Sequence, residues 1–471
     1  MVQQHVDSWL QDAAWVNRAV DGDASAAAAA IKERGGLENF KDYQIIYESQ
    51  WKTSIPSDYR RIPIVGRYQD FSRSWAVVYV DHGYQAAYPT MEGKYSAACS
   101  AYFFLHPTSG DFLPLAVKTG VGSNLVYTPL DTEEDWFLAK AMFNMNDLFH
   151  GQIFHLANSH AVNEVVHLAA LRTLSSVHPV LGLLDRLIHH AYAIRPMSEK
   201  VLFNPRGFFD QSFAITNHGV RTFATDYYST VAGLFQSNYF HTDLIARRLI
   251  NCTYGPPLSS SPFFEDASIL HTSIHSFMVA FLDTYYTRDD LLAQDHELQS
   301  WIQEATAEAL VLDFPPFPLT RKETLVGILA QFAFLAGVSH HVLNSGEPAT
   351  TSEALPLHPS AMYAPPPVKK GVKVLMSYLP PIDEAVKHIA LLARFNRHQV
   401  EHRNETLLYM FSSDSFLSKC GGKIGMATFL FEKEMRAFSD MVRQRGFDSE
   451  GLSQACLLCG RRLTQNVFRI S

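Results

Sequence analysis

From about Glu133 onward the chain is built from long apolar segments at helical period: 134–150, 152–174, 178–193, 223–251, 266–286, 289–310, 321–345, 380–403 and 426–445. Several carry apolar residues on most of their circumference, as in LVGILAQFAFLAGVSHHVLN (325–344). A helix that is apolar all round has to be buried on all sides, so the expected fold is mainly α, a large helical domain with a thick core. A length of 471 residues with 47% hydrophobic content permits a core of that size. Residues 63–118 alternate more, and in FFLHPTSGDFLPLAV the triplet Ser109-Gly110-Asp111 separates two apolar runs, which predicts a small antiparallel β subregion near the N-terminus. Residues 23–34 (DASAAAAAIKER) read as a short capped helix. The polar, Pro-rich stretch 345–367 is an unusually long loop, of the kind that is functional or wraps the domain. No repeat or linker marks a second domain.

A formal net charge of −8 and the lack of any long Lys/Arg run argue against nucleic acid or an anionic membrane surface as the main partner; a small or apolar ligand fits better. The N-terminus MVQQHVDSWLQDAAWVNRAV has no secretory pattern, and no stretch is long and pure enough for stable membrane insertion. The five cysteines are sparse and odd in number, which suits reduced thiols in a cytoplasmic protein. Cys456 and Cys459 have zinc-ribbon spacing without a second pair to complete it.

Against this apolar background the histidines carry the most information. His150, His155 and His160 fall at intervals of five within FHGQIFHLANSHAVNEVVHLAAL. In a regular α-helix, positions i and i+5 lie about 140° apart and cannot share a small ion. A π-type widening brings them onto one face, and such bulges favour functional sites. The spacing is therefore either accidental or a metal site on a π-bulged helix. One buried His alone is more often a hydrogen-bonded core residue than a ligand. A second pair changes that balance: His340 and Asn344 share one face of another all-apolar helix. Their bland reading, capping or core hydrogen bonding, stays open. Imidazoles with a neutral amide oxygen suit redox-active iron or manganese better than tetrahedral zinc.

At these residues the chain resembles the catalytic domain of lipoxygenases, and the likeness extends beyond the histidines. In order the sequence gives LPLAVKT (113–119), WFLAK (136–140), the His150/His155/His160 ladder with Glu164, LSSVHP (174–179) and GFFDQSF (207–213). It continues with YYTRDDLLAQDHELQSWIQE (285–304), FPLTRKETLV (317–326), His340 with Asn344, and HPSAMYAPPP (358–367). Each has a counterpart in that family, in the same order. The resemblance covers roughly residues 63–471, with 1–62 expected as an N-terminal helical segment packed on the catalytic domain. The β-barrel domain that precedes the catalytic domain in plant and animal members is not expected, and the wording around the ladder looks closest to fungal members.

The resemblance implies a metal held by His155, His160, His340, Asn344 and the C-terminal carboxylate of Ser471, with His150, Glu164 and Glu347 supporting the site. Leu202, Phe209 and Ser198 align with substrate-pocket positions. The cofactor would be one iron or manganese ion. No side chain beyond the ligands would be catalytic: a metal-bound hydroxide takes the bis-allylic hydrogen of a polyunsaturated fatty acid, and O2 adds to give a hydroperoxide. Three departures qualify this. The chain ends Ile470-Ser471 where Ile or Val usually ends it, Gly151 follows His150 where Gln or Glu is common, and Glu347 stands where Gln is common. They leave two alternatives: oxidation or rearrangement of a different polyene, and a non-catalytic lipid-binding relative.

Overall fold

The computed structural model describes residues 77–105, 112–189, 194–247, 249–250, 262–340, 360–373, 375–381, 384 and 407–444. The expected helix at 23–34, the turn at 109–111 and nearly all of 380–403 lie outside these residues. Four antiparallel strands form one sheet in sequence order: β1 (Val77–Asp81), β2 (Ser100–Leu105), β3 (Phe112–Lys118) and β4 (Val126–Tyr127). The sheet thus reaches past the expected limit at residue 118. Ala101, Phe103 and Val117 face inward while Tyr102 faces out, as a half-buried sheet requires. The β2–β3 register shifts at Tyr102/Phe103, opposite the stretch holding Pro114, which has no N–H for the ladder.

The rest is helical. In chain order come α1 (Glu133–Phe154), α2 (Val162–Thr173), α3 (Pro179–Leu187), α4 (Ile194–Ser198) and α5 (Phe208–Ser212). They are followed by α6 (Asn217–Tyr227), α7 (Phe240–Ala246), α8 (Pro262–Tyr285), α9 (Asp289–Ala293) and α10 (His296–Gln303). The last described helices are α11 (Lys322–Phe334), α12 (Asp414–Lys419) and α13 (Gly425–Arg443). Two expected helices are each broken. The segment 223–251 divides into α6 and α7 around Gly233, where a Cβ would stand 2.4 Å from the Tyr228 carbonyl oxygen. The segment 289–310 breaks at Asp295, whose side chain accepts from Leu298 N–H and caps α10.

Core packing places α8 along α11 and α13, with α2 and α10 against each other. Trp301 of α10 is fully buried and donates its indole N–H to the Val166 carbonyl of α2 at 3.1 Å. Contrary to the expectation that no stretch is long and apolar enough, the window Lys322–Ser339 could cross a membrane by length and composition, but most of it is buried inside the protein. A helix apolar on every side therefore serves as the central core element.

The sheet packs on α1 through Ala101, Phe103 and Val117 against Trp136, Phe137, Met142 and Phe143. Thr132 caps α1 by accepting from Asp135 N–H, and acidic residues at 133–135 fill its first turn. Buried Asn146 then ties α1 to the β1–β2 connection: it accepts from Cys99 N–H at 2.8 Å and donates to Ser96 at 2.8 Å and Gln85 at 2.6 Å. The end of the long loop is anchored too. Met362 and Tyr95 exchange two backbone hydrogen bonds of 2.9 Å, and Asp135 accepts from Gly371 N–H at 2.9 Å.

Candidate metal centre

Helix α1 runs into α2 without a turn, through a π segment at His155–Ala161. The widened turn places His160 on the same face as His155, as the five-residue spacing requires of a shared site. Ser159 donates its hydroxyl to the His155 carbonyl at 2.6 Å within that turn. A second π segment, Leu335–Ser339, extends α11 and ends at His340. The two π segments pack against each other, and Asn163 donates to the Phe332 carbonyl at 3.3 Å across the junction. Two irregular helices, fixed to one another, thus present histidines to a common point.

His155, His160 and His340 offer ring nitrogens that all lie within 4.8 Å of one another. Nε2 of His155 and Nε2 of His160 are 3.1 Å apart. The three ring centroids are separated by 4.8, 4.8 and 4.4 Å. His155 is buried and the other two are half-buried. Metal–nitrogen bonds of about 2.1 Å meeting at about a right angle put two nitrogens about 3 Å apart, so the His155–His160 separation fits one shared ion. Asn344, Glu347 and Ser471 lie outside the described residues.

His150 sits one ladder step before His155. Nδ1 of its ring faces the Tyr84 hydroxyl at 2.9 Å, and Nε2 the Tyr227 hydroxyl at 3.4 Å. Its centroid is 5.3 Å from that of buried His82, which pairs through Nε2 with Asp147 at 3.1 Å. Burial, with the His82 charge adding to it and Asp147 opposing, lowers the His150 pKa to about 4. The ring is neutral at pH 7. Tyr84, Tyr227 and His82 have no sequence signal of their own, since each reaches His150 from more than sixty residues away in the chain.

Glu164 lies one turn after His160 on α2. Burial raises its pKa, against the opposing pull of the Arg195 backbone N–H and guanidinium. Its carboxylate accepts from Arg195 N–H at 3.1 Å and pairs with Arg195 Nε at 3.5 Å. Arg195 belongs to α4, which carries buried Ser198 and continues as a π segment, Glu199–Phe203, holding Leu202. Leu202 and fully buried Phe209 join Phe149 and Ile153 of α1 in one apolar cluster. Leu202 and Phe209, two of the three pocket residues expected from sequence, therefore pack against the helix that carries the histidine ladder; Ser198 is buried but is not part of this cluster. At Gly151 the structure is open: a Cβ there would meet no atom within 4 Å.

The lipoxygenase family model matches residues 92–450. Manganese lipoxygenase of Colletotrichum gloeosporioides is 46% identical over 503 aligned residues, covering 96% of this chain and 82% of the relative. Manganese lipoxygenase of Fusarium oxysporum is 45% identical, covering 95% and 80%. A solved manganese lipoxygenase superposes with a TM-score of 0.88 at 39% identity, covering 100% of this chain and 91% of the other. On its sequence, its fold and the extent of both likenesses, this chain belongs to the lipoxygenase family.

Proposed function

We infer that this lipoxygenase-family dioxygenase works with one manganese ion held by His155, His160, His340, Asn344 and the Ser471 carboxylate, and oxygenates a polyunsaturated fatty acid. The observation that carries the reading is the convergence of three imidazole nitrogens within 4.8 Å at the meeting of two π segments. Manganese is favoured over iron by the manganese lipoxygenases at 40–46% identity. When bound, the metal supplies the one-electron oxidant that a bis-allylic C–H demands, because no side-chain base removes that proton at neutral pH.

The chain's own residues hold the site and shape it. The π turn, pinned by Ser159, fixes the aim of His155 and His160. Neutral His150, held by Tyr84 and Tyr227, keeps uncompensated charge away from the first ladder step. Phe149, Ile153, Leu202 and Phe209 form an apolar wall where a hydrocarbon chain is stable and water is not. Glu164 braces α4 and the π segment that brings Leu202 to that wall. The reaction balances as RH plus O2 giving ROOH: one C–H bond breaks, one C–O bond forms, and the hydrogen ends on the peroxide.

A second reading, oxidation of a different polyene, is favoured by the open space at Gly151 beside the ladder. Oxygen uptake and conjugated-diene absorbance with linoleic and linolenic acid, set against polyenes that lack a fatty-acid carboxylate, separate the two. Diene formation with the fatty acids supports the first reading; uptake only with the other polyenes overturns it.

A further inference from the structure

Away from the ladder, a second group of histidines gathers on the outer side of α7 and α8. His241 belongs to α7, and His271 and His275 to α8. His241 and His275 are exposed and His271 is half-buried. The His241 and His271 rings meet edge to face, 85° apart, with centroids 5.0 Å from one another. That separation is close to the 4.4–4.8 Å between the three rings of the metal centre. His275 follows His271 by one helical turn, so both side chains leave the same face of α8. Their rings are nearly stacked, with centroids 6.4 Å apart. Completing the trio requires His275 to leave this stacked position by a rotamer change, which its exposure permits.

We propose that His241, His271 and His275 form a second metal site, distinct from the catalytic centre, that takes a borderline divalent cation such as zinc, nickel or copper. Three imidazoles without a carboxylate select those cations over calcium or magnesium. The exposed side of the trio leaves a fourth position to water, which suits tetrahedral zinc. His271 is already a fixed anchor: its ring stacks on Phe240 at 5.3 Å and meets Phe334 edge to face at 5.5 Å. Burial also holds the His271 and His241 pKa values below the ordinary imidazole range, which keeps both rings in the neutral form that binds metal.

The site would clamp α7 to α8 over the end of α11. Phe334, against which His271 packs, is the residue immediately before the π segment that leads to His340. A cation there would therefore stiffen the outer support of the catalytic helix without touching the catalytic imidazoles.

The test is equilibrium dialysis of tag-free holoenzyme against micromolar zinc, with zinc and resident metal measured on the same sample. The expected result is about one zinc per chain beyond the resident metal, which stays bound. His275→Ala and His241→Ala, both at exposed positions, should each weaken zinc binding at least about tenfold while resident metal and oxygen uptake are kept. Zinc gained only as the resident metal is lost, zinc held equally by both variants, or no zinc gained at all would each overturn the proposal.

Discussion

His155, His160 and His340 bring ring nitrogens within 4.8 Å of one another, and a cation is a partner that all three imidazoles can share. His340→Ala should therefore abolish metal retention and oxygen uptake at once, read as metal per chain and rate on one preparation. His167 gives the contrast. It lies on α2, is buried, and its Nε2 meets Asp185 at 2.8 Å, away from the cluster. His167→Ala should keep its metal and lose about 2 kcal/mol of stability, from a small cavity and a lost hydrogen bond to a charged group. Equal metal content in the two variants would remove His340 from the site. His150 supplies a prediction in pH. Its folded pKa, lowered to about 4 from 6.5, means that the unfolded chain binds a proton the folded chain refuses. Stability from this residue is thus intact above about pH 6.5 and is lost as pH falls toward 4, by about 3 kcal/mol in all. Denaturant midpoints at pH 7 and pH 4 should fall further apart in the wild type than in His150→Gln; parallel shifts would contradict the buried, neutral assignment.

At the scale of elements, the helical fold was legible from apolar periodicity, and the π widening at His155–Ala161 was one of the two readings that histidines spaced by five allow. The π segment before His340 was not, because LAGVS is apolar on every side and offers no periodic marker of its extra width. The division of 223–251 turns on Gly233 meeting the Tyr228 carbonyl, a close approach that no pattern reveals. The partners of His150 were also hidden, since Tyr84 and Tyr227 arrive by tertiary packing across 66 and 77 residues of chain. Glu164 was expected as a supporting residue, and the structure gives it a mechanical task, bracing α4 through Arg195. Glu164→Leu should accordingly leave metal content unchanged and raise KM for linoleic acid about tenfold or more, as the segment carrying Leu202 loosens. Loss of metal in this variant would place Glu164 at the ion instead.

For the whole molecule, an apolar helix that could span a membrane is spent inside the core, and two helices that each contain a π segment cross there. The core fixes the histidines; the apolar cluster of Leu202 and Phe209 stands beside them. The most direct test of the central claim is to measure metal content and oxygen uptake with linoleic acid on one preparation each of wild type and His160→Ala. The wild type should carry about one manganese per chain and consume O2 with a rise in conjugated-diene absorbance, and the variant should do neither. A His160→Ala protein that keeps its metal and its oxygen uptake, or a wild type that holds no redox-active metal, would contradict the account.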